Sequence, residues 1–118
     1  MKSHIIFLSI TVACVSHTVS ASEKDTYRGF LVVAPEVETF QPCGSTSPLW
    51  LDIDLSSRAP VERRYRELIT RPYEKTFAVL VGSPGPKLDC GFCENYEGSF
   101  KVQKILEHRR ATQTECTQ

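Results

Sequence analysis

The sequence predicts a mainly β domain: a small five-stranded barrel in the order β-β-β-α-β-β, with one short helix. Three observations predict it. Tyr27–Leu55 reads as three successive strands, broken at Ala34-Pro35-Glu36 and at Pro42-Cys43-Gly44-Ser45. One helical period follows, and only one. Two more strand-like runs, separated by a long Gly/Pro-rich and Cys-bearing loop, complete the chain.

In the first strand Tyr27, Gly29, Leu31 and Val33 alternate with Arg28, Phe30 and Val32. Both parities are apolar, so this strand is central and covered on much of both faces. Gly29 inside it suggests a bulge or sharp bend. Pro35 stops the strand, because it has no N–H for the ladder. Val37–Phe40 resumes the sheet, with Phe40 breaking the parity set by Val37 and Thr39. The run Leu49–Leu55 alternates most regularly: Leu49, Leu51, Ile53 and Leu55 form a core face, and Trp50, Asp52 and Asp54 the opposite face. Ser56–Ala59 is a turn and Pro60 suits the first helical position. Val61, Tyr65, Leu68 and Ile69 then make an apolar stripe, with Glu62 and Arg66 as an i,i+4 pair. Arg71-Pro72 ends this helix of about ten residues. Thr76–Val81 is the fourth strand, stopped by Gly82-Ser83-Pro84-Gly85-Pro86. Ser99–His108 is the fifth, with a bulge expected near Lys104 because Ile105 breaks the parity of Phe100 and Val102. The order is that of the OB fold, a five-stranded Greek-key barrel.

The ends read differently. Lys2, an apolar run over Ile5–Val15 and small residues up to Val19-Ser20-Ala21 form a secretory leader, with cleavage expected after Ala21. The run is too short and too interrupted for a transmembrane anchor, which needs about 20 apolar residues. Ile10-Thr11-Val12-Ala13-Cys14 offers a second route, since it resembles a bacterial lipobox; Cys14 would then carry a lipid anchor. Residues 1–21 are thus a leader, 22–26 a flexible lead, 27–108 the barrel and 109–118 a polar tail. Of 118 residues, removing 21 leaves 97, enough for one modest core. Losing Lys2 from 14 basic residues leaves 13 against 14 acidic. That balance excludes a nucleic-acid partner, which requires a concentrated basic surface; Arg63, Arg64 and Arg66 alternate with Glu62 and Glu67 as a solvated helix face.

Cys43, Cys90, Cys93 and Cys116 form an even set in an exported chain, which suggests two disulfides among three connectivities. Pairing Cys90 with Cys93 and Cys43 with Cys116 is preferred. Cys90-Gly91-Phe92-Cys93 is also the sharpest chemical motif. A C-x-x-C can work as a redox couple when a helix terminus or cation lowers one thiol pKa. Here Asp89, Glu94 and Glu97 surround it and act in the opposite sense. A copper or zinc site would use Cys90 and Cys93, completed by Cys43 and Cys116, yet only one C-x-x-C and one post-leader histidine, His108, exist. His108 has no nucleophile to make a triad, and the prolines of Gly82–Pro86 remove amides that a phosphate cradle needs. Asp52 and Asp54 are solvated acids. Trp50 with Asp52 and Asp54 is the candidate binding surface, aromatic anchors being enriched at interfaces; Trp50 covering a neighbouring strand or loop is the alternative.

Tyr27-Arg28-Gly29, the F-x-P-C-G element Phe40-Gln41-Pro42-Cys43-Gly44, Trp50 and the later Glu97–Val102 resemble small bacterial envelope proteins. They are similar to the C-terminal OB domain of the outer-membrane copper-homeostasis and envelope-stress lipoprotein NlpE. The resemblance implies an OB barrel in the periplasm or lipid-anchored at the outer membrane. It does not carry over copper binding, which belongs to a different domain of that lipoprotein. The expectation is a non-enzymatic envelope interaction module, without cofactor, binding an envelope protein or another envelope component. The alternative is a thiol-redox or metal-binding protein using the CGFC element.

Overall fold

A computed structural model describes residues 3–6, 8–14 and 25–117 of the chain. The cleavage site after Ala21 and most of the 22–26 lead lie outside the described residues. Residues 3–6 and 8–14 hold no helix or strand, and no described helix is long and apolar enough to cross a membrane.

Five strands, β1 (Thr26–Ala34), β2 (Val37–Pro42), β3 (Leu49–Asp52), β4 (Thr76–Gly85) and β5 (Ser99–Arg110), close a barrel in the order β1-β2-β3-β5-β4. The helix α1 (Leu55–Leu68) falls between β3 and β4. All pairings are antiparallel except β3 with β5. This is an OB-like barrel, and the sequence-derived element order holds.

Parity decides which side chains fill it. Leu31, Phe40, Leu51, Ala78, Leu80 and Phe100 are fully or almost fully buried and form the core with Val61 and Tyr65 of α1. Phe40, which broke parity in the sequence, points inward and lies 4.8 Å from Phe100. Gly29 is there for close approach, not for a bulge. It is buried opposite Pro42, and a Cβ would run into the Gln41 carbonyl and lie 2.9 Å from Phe40 Cε2. Bulges occur instead on β5, where the register with β4 shifts between Val79 and Leu80 and between Val81 and Gly82, on either side of Lys104.

Several boundaries differ from the sequence reading. β3 ends at Asp52, and Leu55 opens α1 with 82% of its surface exposed, so it is not a core residue. α1 starts five residues before Pro60, because the Asp54 carbonyl already accepts from Ser57 and Arg58 (3.0 Å each). Pro60 removes only one internal hydrogen bond, near an N-terminus whose first donors have no helical partner anyway. β4 continues through Pro84 to Gly85. Beyond Val81 it has β5 on one side and no β1 partner on the other, the edge position where proline is tolerated.

β5 also runs on to Arg110, two residues past the sequence boundary. Its end secures α1: Arg64 donates to the His108 carbonyl through Nη2 (3.2 Å), and Arg110 Nε donates to the Leu68 carbonyl (2.9 Å). The tail then folds back. Arg28 and Arg109 both lie over Phe77 (5.2 and 4.4 Å to the ring centroid), and Arg109 pairs with Glu115 at 2.7 Å. These hydrogen bonds from Arg109 hold the Glu115 carboxyl below its usual range. Cys116 reaches Cys43 (Cα–Cα 5.0 Å), and Cys90 reaches Cys93 (5.4 Å), both at disulfide distance.

Candidate functional site

Trp50, Asp52 and Asp54 do not form one surface. Trp50 lies on the outer face of the barrel, opposite Thr39, but only 9% of it is exposed. Tyr96, from the loop before β5, covers it with ring centroids 5.6 Å apart. Asp52 is half-buried in β3, whereas Asp54 has left the strand and stands exposed before α1. The alternation was right about the face. It could not show that a residue 46 positions later would cover it.

The CGFC element sits on that same covering loop. Cys90 is exposed and Cys93 is completely buried, in a single 3-10 turn over Phe92–Asn95. Among the described residues no three His, Cys, Asp or Glu side chains are grouped to hold a metal ion. Cys14 is exposed and unpaired.

What the structure brings together instead centres on Tyr73. The loop from Thr70 to Lys75 is built around Glu74. Its carboxylate accepts from the Thr70 hydroxyl (3.1 Å) and lies 3.7 Å from Arg71, while its carbonyl accepts from the buried Tyr65 hydroxyl (2.7 Å). Tyr73 is thereby held at φ 61°, in the left-handed region, with 56% of its surface exposed. A bulky aromatic residue in that region costs on the order of 1–2 kcal/mol and persists only where its surroundings fix it. The ring forms a wall of two grooves. One, of about 300 Å³, runs along the outer face of β1 and β2 past Phe30, Val32, Val37 and Tyr96, with Lys75 placed over Phe30 at 5.5 Å. The other, of about 720 Å³, opens at the barrel end between the β1–β2 hairpin and the C-terminal half of α1. Its apolar wall is Val33, Ala34, Pro35, Ile69 and Pro72. Pockets of this size and character are where ligands bind in proteins generally.

The polar groups of the larger groove are unequal in depth. Glu38, from β2, keeps only 12% of its side chain exposed and lies 2.8 Å from Arg58 Nη2 of α1. The pair is close but poorly aligned: Glu38 Oε2 and Arg58 Nε both lack a hydrogen-bond partner among the described residues. Burial raises the Glu38 pKa, Arg58 opposes the rise, and neighbouring Glu62 adds to it. Glu62 is half-buried and Arg66 exposed; the i,i+4 pair expected between them does not close, and α1 carries Arg64–Glu67 at 3.8 Å instead. Among the charged groups lining this groove, Glu38 and Glu62 are half-buried and Arg66 and Arg71 exposed.

His108 is structural. Its Nε2 lies 2.9 Å from Thr76 Oγ1, whose own proton goes to the Leu31 carbonyl (2.7 Å). The hydroxyl must then accept from His108, which fixes the proton on Nε2. Burial, followed by the charge of Arg64, lowers the His108 pKa to about 4. A pKa below the ordinary 6.5 means that the unfolded chain takes up the proton first. The contribution is therefore complete above pH 6.5 and is lost as pH falls from 6.5 to about 4. After discounting for partial solvation, about 1–2 kcal/mol is at stake. Urea midpoints at pH 7.5 and 4.5 should fall further for the wild type than for His108→Gln. Equal falls would remove this role for His108.

Sequence reasoning missed Tyr73, Tyr96 and Phe30 as a group. The only signals were an aromatic beside Pro72 and another in a polar loop, and neither has a periodicity to assign it to a face. Comparison with known protein families, curated proteins and solved structures finds no match for the chain. Fold alone does not assign function, so the reading rests on the site.

Proposed function

We propose that the protein is an exported, non-enzymatic OB-like binding module of the bacterial cell envelope, and that it takes up an extended segment of a partner protein along the grooves around Tyr73. The observation that carries this is the pair of grooves meeting at one exposed aromatic residue whose backbone is held in the left-handed region. Exposed aromatic side chains are what interfaces use as anchors. The leader, the paired cysteines and the resemblance to NlpE support the envelope setting.

The test is photo-crosslinking in cells, with a photoreactive residue placed at Tyr73 or, for comparison, at Arg63 on the exposed side of α1. A discrete adduct from position 73 and none from position 63 is the expected result. Identical adducts from both positions, or none from position 73, would refute the reading. A second reading, thiol exchange at the CGFC element, is favoured by one observation: exposed Cys90 precedes buried Cys93, so an incoming thiolate could reach only the first sulfur. Thiol mapping of the exported protein separates the two. A structural disulfide gives no free thiol at Cys90 or Cys93 at the redox poise of the envelope, whereas an exchanging couple gives a mixture that follows the applied potential.

A further inference from the structure

We propose that the partner segment is acidic: one of its carboxylates seats in a basic pocket at Lys75 and Arg110, while a neighbouring apolar side chain lies in the outer groove against Phe30 and Tyr73. This rests on the reading of the Tyr73 surface as a peptide-binding face and names what that face selects.

Charge is distributed unevenly around Tyr73. The barrel-end groove is balanced, with Glu38 and Glu62 against Arg66 and Arg71. A third pocket, of about 370 Å³, lies where the Tyr73 loop meets the end of β5, and it is not balanced: its charged groups are Arg71, Lys75 and Arg110 against Glu74 alone. Glu74 is already engaged, by the Thr70 hydroxyl at 3.1 Å and by Arg71 at 3.7 Å. Two cations remain. Lys75 and Arg110 are both exposed, and neither has a carboxylate partner among the described residues. Arg110 is oriented as well as unpaired. Its Nε donates to the Leu68 carbonyl at 2.9 Å, which leaves both Nη groups without a hydrogen-bond partner among the described residues. A planar, oriented pair of N–H donors matches the two oxygens of a carboxylate. Lys75 joins this pocket to the outer groove: it lines both, and its ammonium lies 5.5 Å from the centre of the Phe30 ring. The outer groove has no other charged side chain in its wall, where Phe30, Val32 and Tyr96 stand beside Tyr73. An acidic residue next to an apolar one therefore fits both surfaces at once. A cationic side chain would meet Lys75 and Arg110. A phosphate dianion would bring its second charge against Glu74 and put nothing into the outer groove.

The experiment uses the purified chain and three capped tripeptides, acetyl-Leu-X-Leu-amide with X as glutamate, glutamine or lysine, titrated by heteronuclear NMR at low salt. The glutamate peptide should give saturable shifts at Phe30, Lys75 and Arg110 and bind about fivefold more tightly than the glutamine peptide, with no saturable binding of the lysine peptide. Salt at about 0.5 M should remove that preference, because both cations are exposed. Lys75→Gln, at an exposed position whose folding the same spectra check, should reduce the preference, and Lys75→Gln/Arg110→Gln should abolish it. Arg63→Gln, on the exposed side of α1, should leave it intact. Equal binding of glutamate and glutamine peptides to the wild type, or a glutamate preference undiminished in Lys75→Gln, would overturn the pocket. Inorganic phosphate that shifts Arg110 and displaces the glutamate peptide at equal concentration would make this a site for small anions and overturn the assignment to a peptide. None of these outcomes touches the crosslinking result at Tyr73. A Tyr73 adduct without glutamate preference would keep the binding face and discard the pocket; glutamate preference without an adduct would do the reverse.

Discussion

A Cys43→Ser/Cys116→Ser chain is expected to unfold about 4 kcal/mol more easily than the wild type. The two cysteines are 73 residues apart, so their bond removes a long-loop closure entropy from the unfolded chain, and in the chain-entropy account that is worth about 4 kcal/mol. The bond also anchors a tail that would otherwise fray, and the tail brings Glu115 to Arg109 above Phe77. The Cys90–Cys93 bond closes a separation of only three residues, for which the same account gives about 1–2 kcal/mol. Urea unfolding without reductant, followed through the single tryptophan, Trp50, measures both. For a domain with a total stability of about 5–15 kcal/mol the first loss is close to disabling and the second is tolerable. A loss below about 1 kcal/mol for the Cys43/Cys116 variant, or equal losses for the two pairs, would contradict this assignment.

The contrast between the two bonds bears on the function. The long staple joins the end of β2 to the tail and maintains the barrel. The short one lies on the loop whose Tyr96 covers Trp50 and also borders the outer groove. Breaking it should therefore disturb the groove more than the fold.

How much of this was legible beforehand depended on whether a residue's role was local. The strands were readable because alternation with period two is a property of neighbours: Leu49 and Leu51 went inward and Trp50 outward, as their order required. Where two local rules competed, the boundary moved. Leu55 continued the alternation, but the Asp54 carbonyl accepted two amides of a helix beginning there, and the helix won. The site was largely illegible because its parts come from separate elements. Val33 and Glu38 belong to a hairpin, Glu62 to α1, Ile69 to the cap that follows it, and Tyr73 to a loop fixed by the hydrogen bonds of Glu74. Nothing in the sequence near Tyr73 announces a left-handed backbone in a residue that is not glycine. The closed barrel brings these pieces together.

Phe100→Ala should cost about 3–5 kcal/mol, the range for deleting a fully buried phenylalanine whose neighbours cannot collapse into the space. The neighbours are fixed by the same geometry that admits the ring. Phe100 pairs with Leu51 in the parallel ladder, stands edge-on to Tyr27 at 5.1 Å and lies 4.8 Å from Phe40. It fits because Gly82 carries no side chain: a Cβ there would lie 2.8 Å from Phe100 Cε1 and run into the Lys101 carbonyl. Phe40 stands in the same relation to Gly29 on the neighbouring strand β1. Two large rings and two absent side chains thus occupy one layer, and the core tolerates neither a smaller ring nor a larger glycine. Gly82→Ala should therefore also destabilise, by about 1–3 kcal/mol, although it adds one methyl group and removes nothing. The Lys101 carbonyl is backbone of a paired strand, so Phe100→Ala cannot relieve that clash, and the double variant should be no more stable than Phe100→Ala alone. Leu106→Ala, at a half-exposed position on the same strand, should change stability by less than about 1 kcal/mol. Urea midpoints for the four variants test the layer directly: a double variant clearly more stable than Phe100→Ala would place the cost of Gly82→Ala in the ring, not in the backbone of β5.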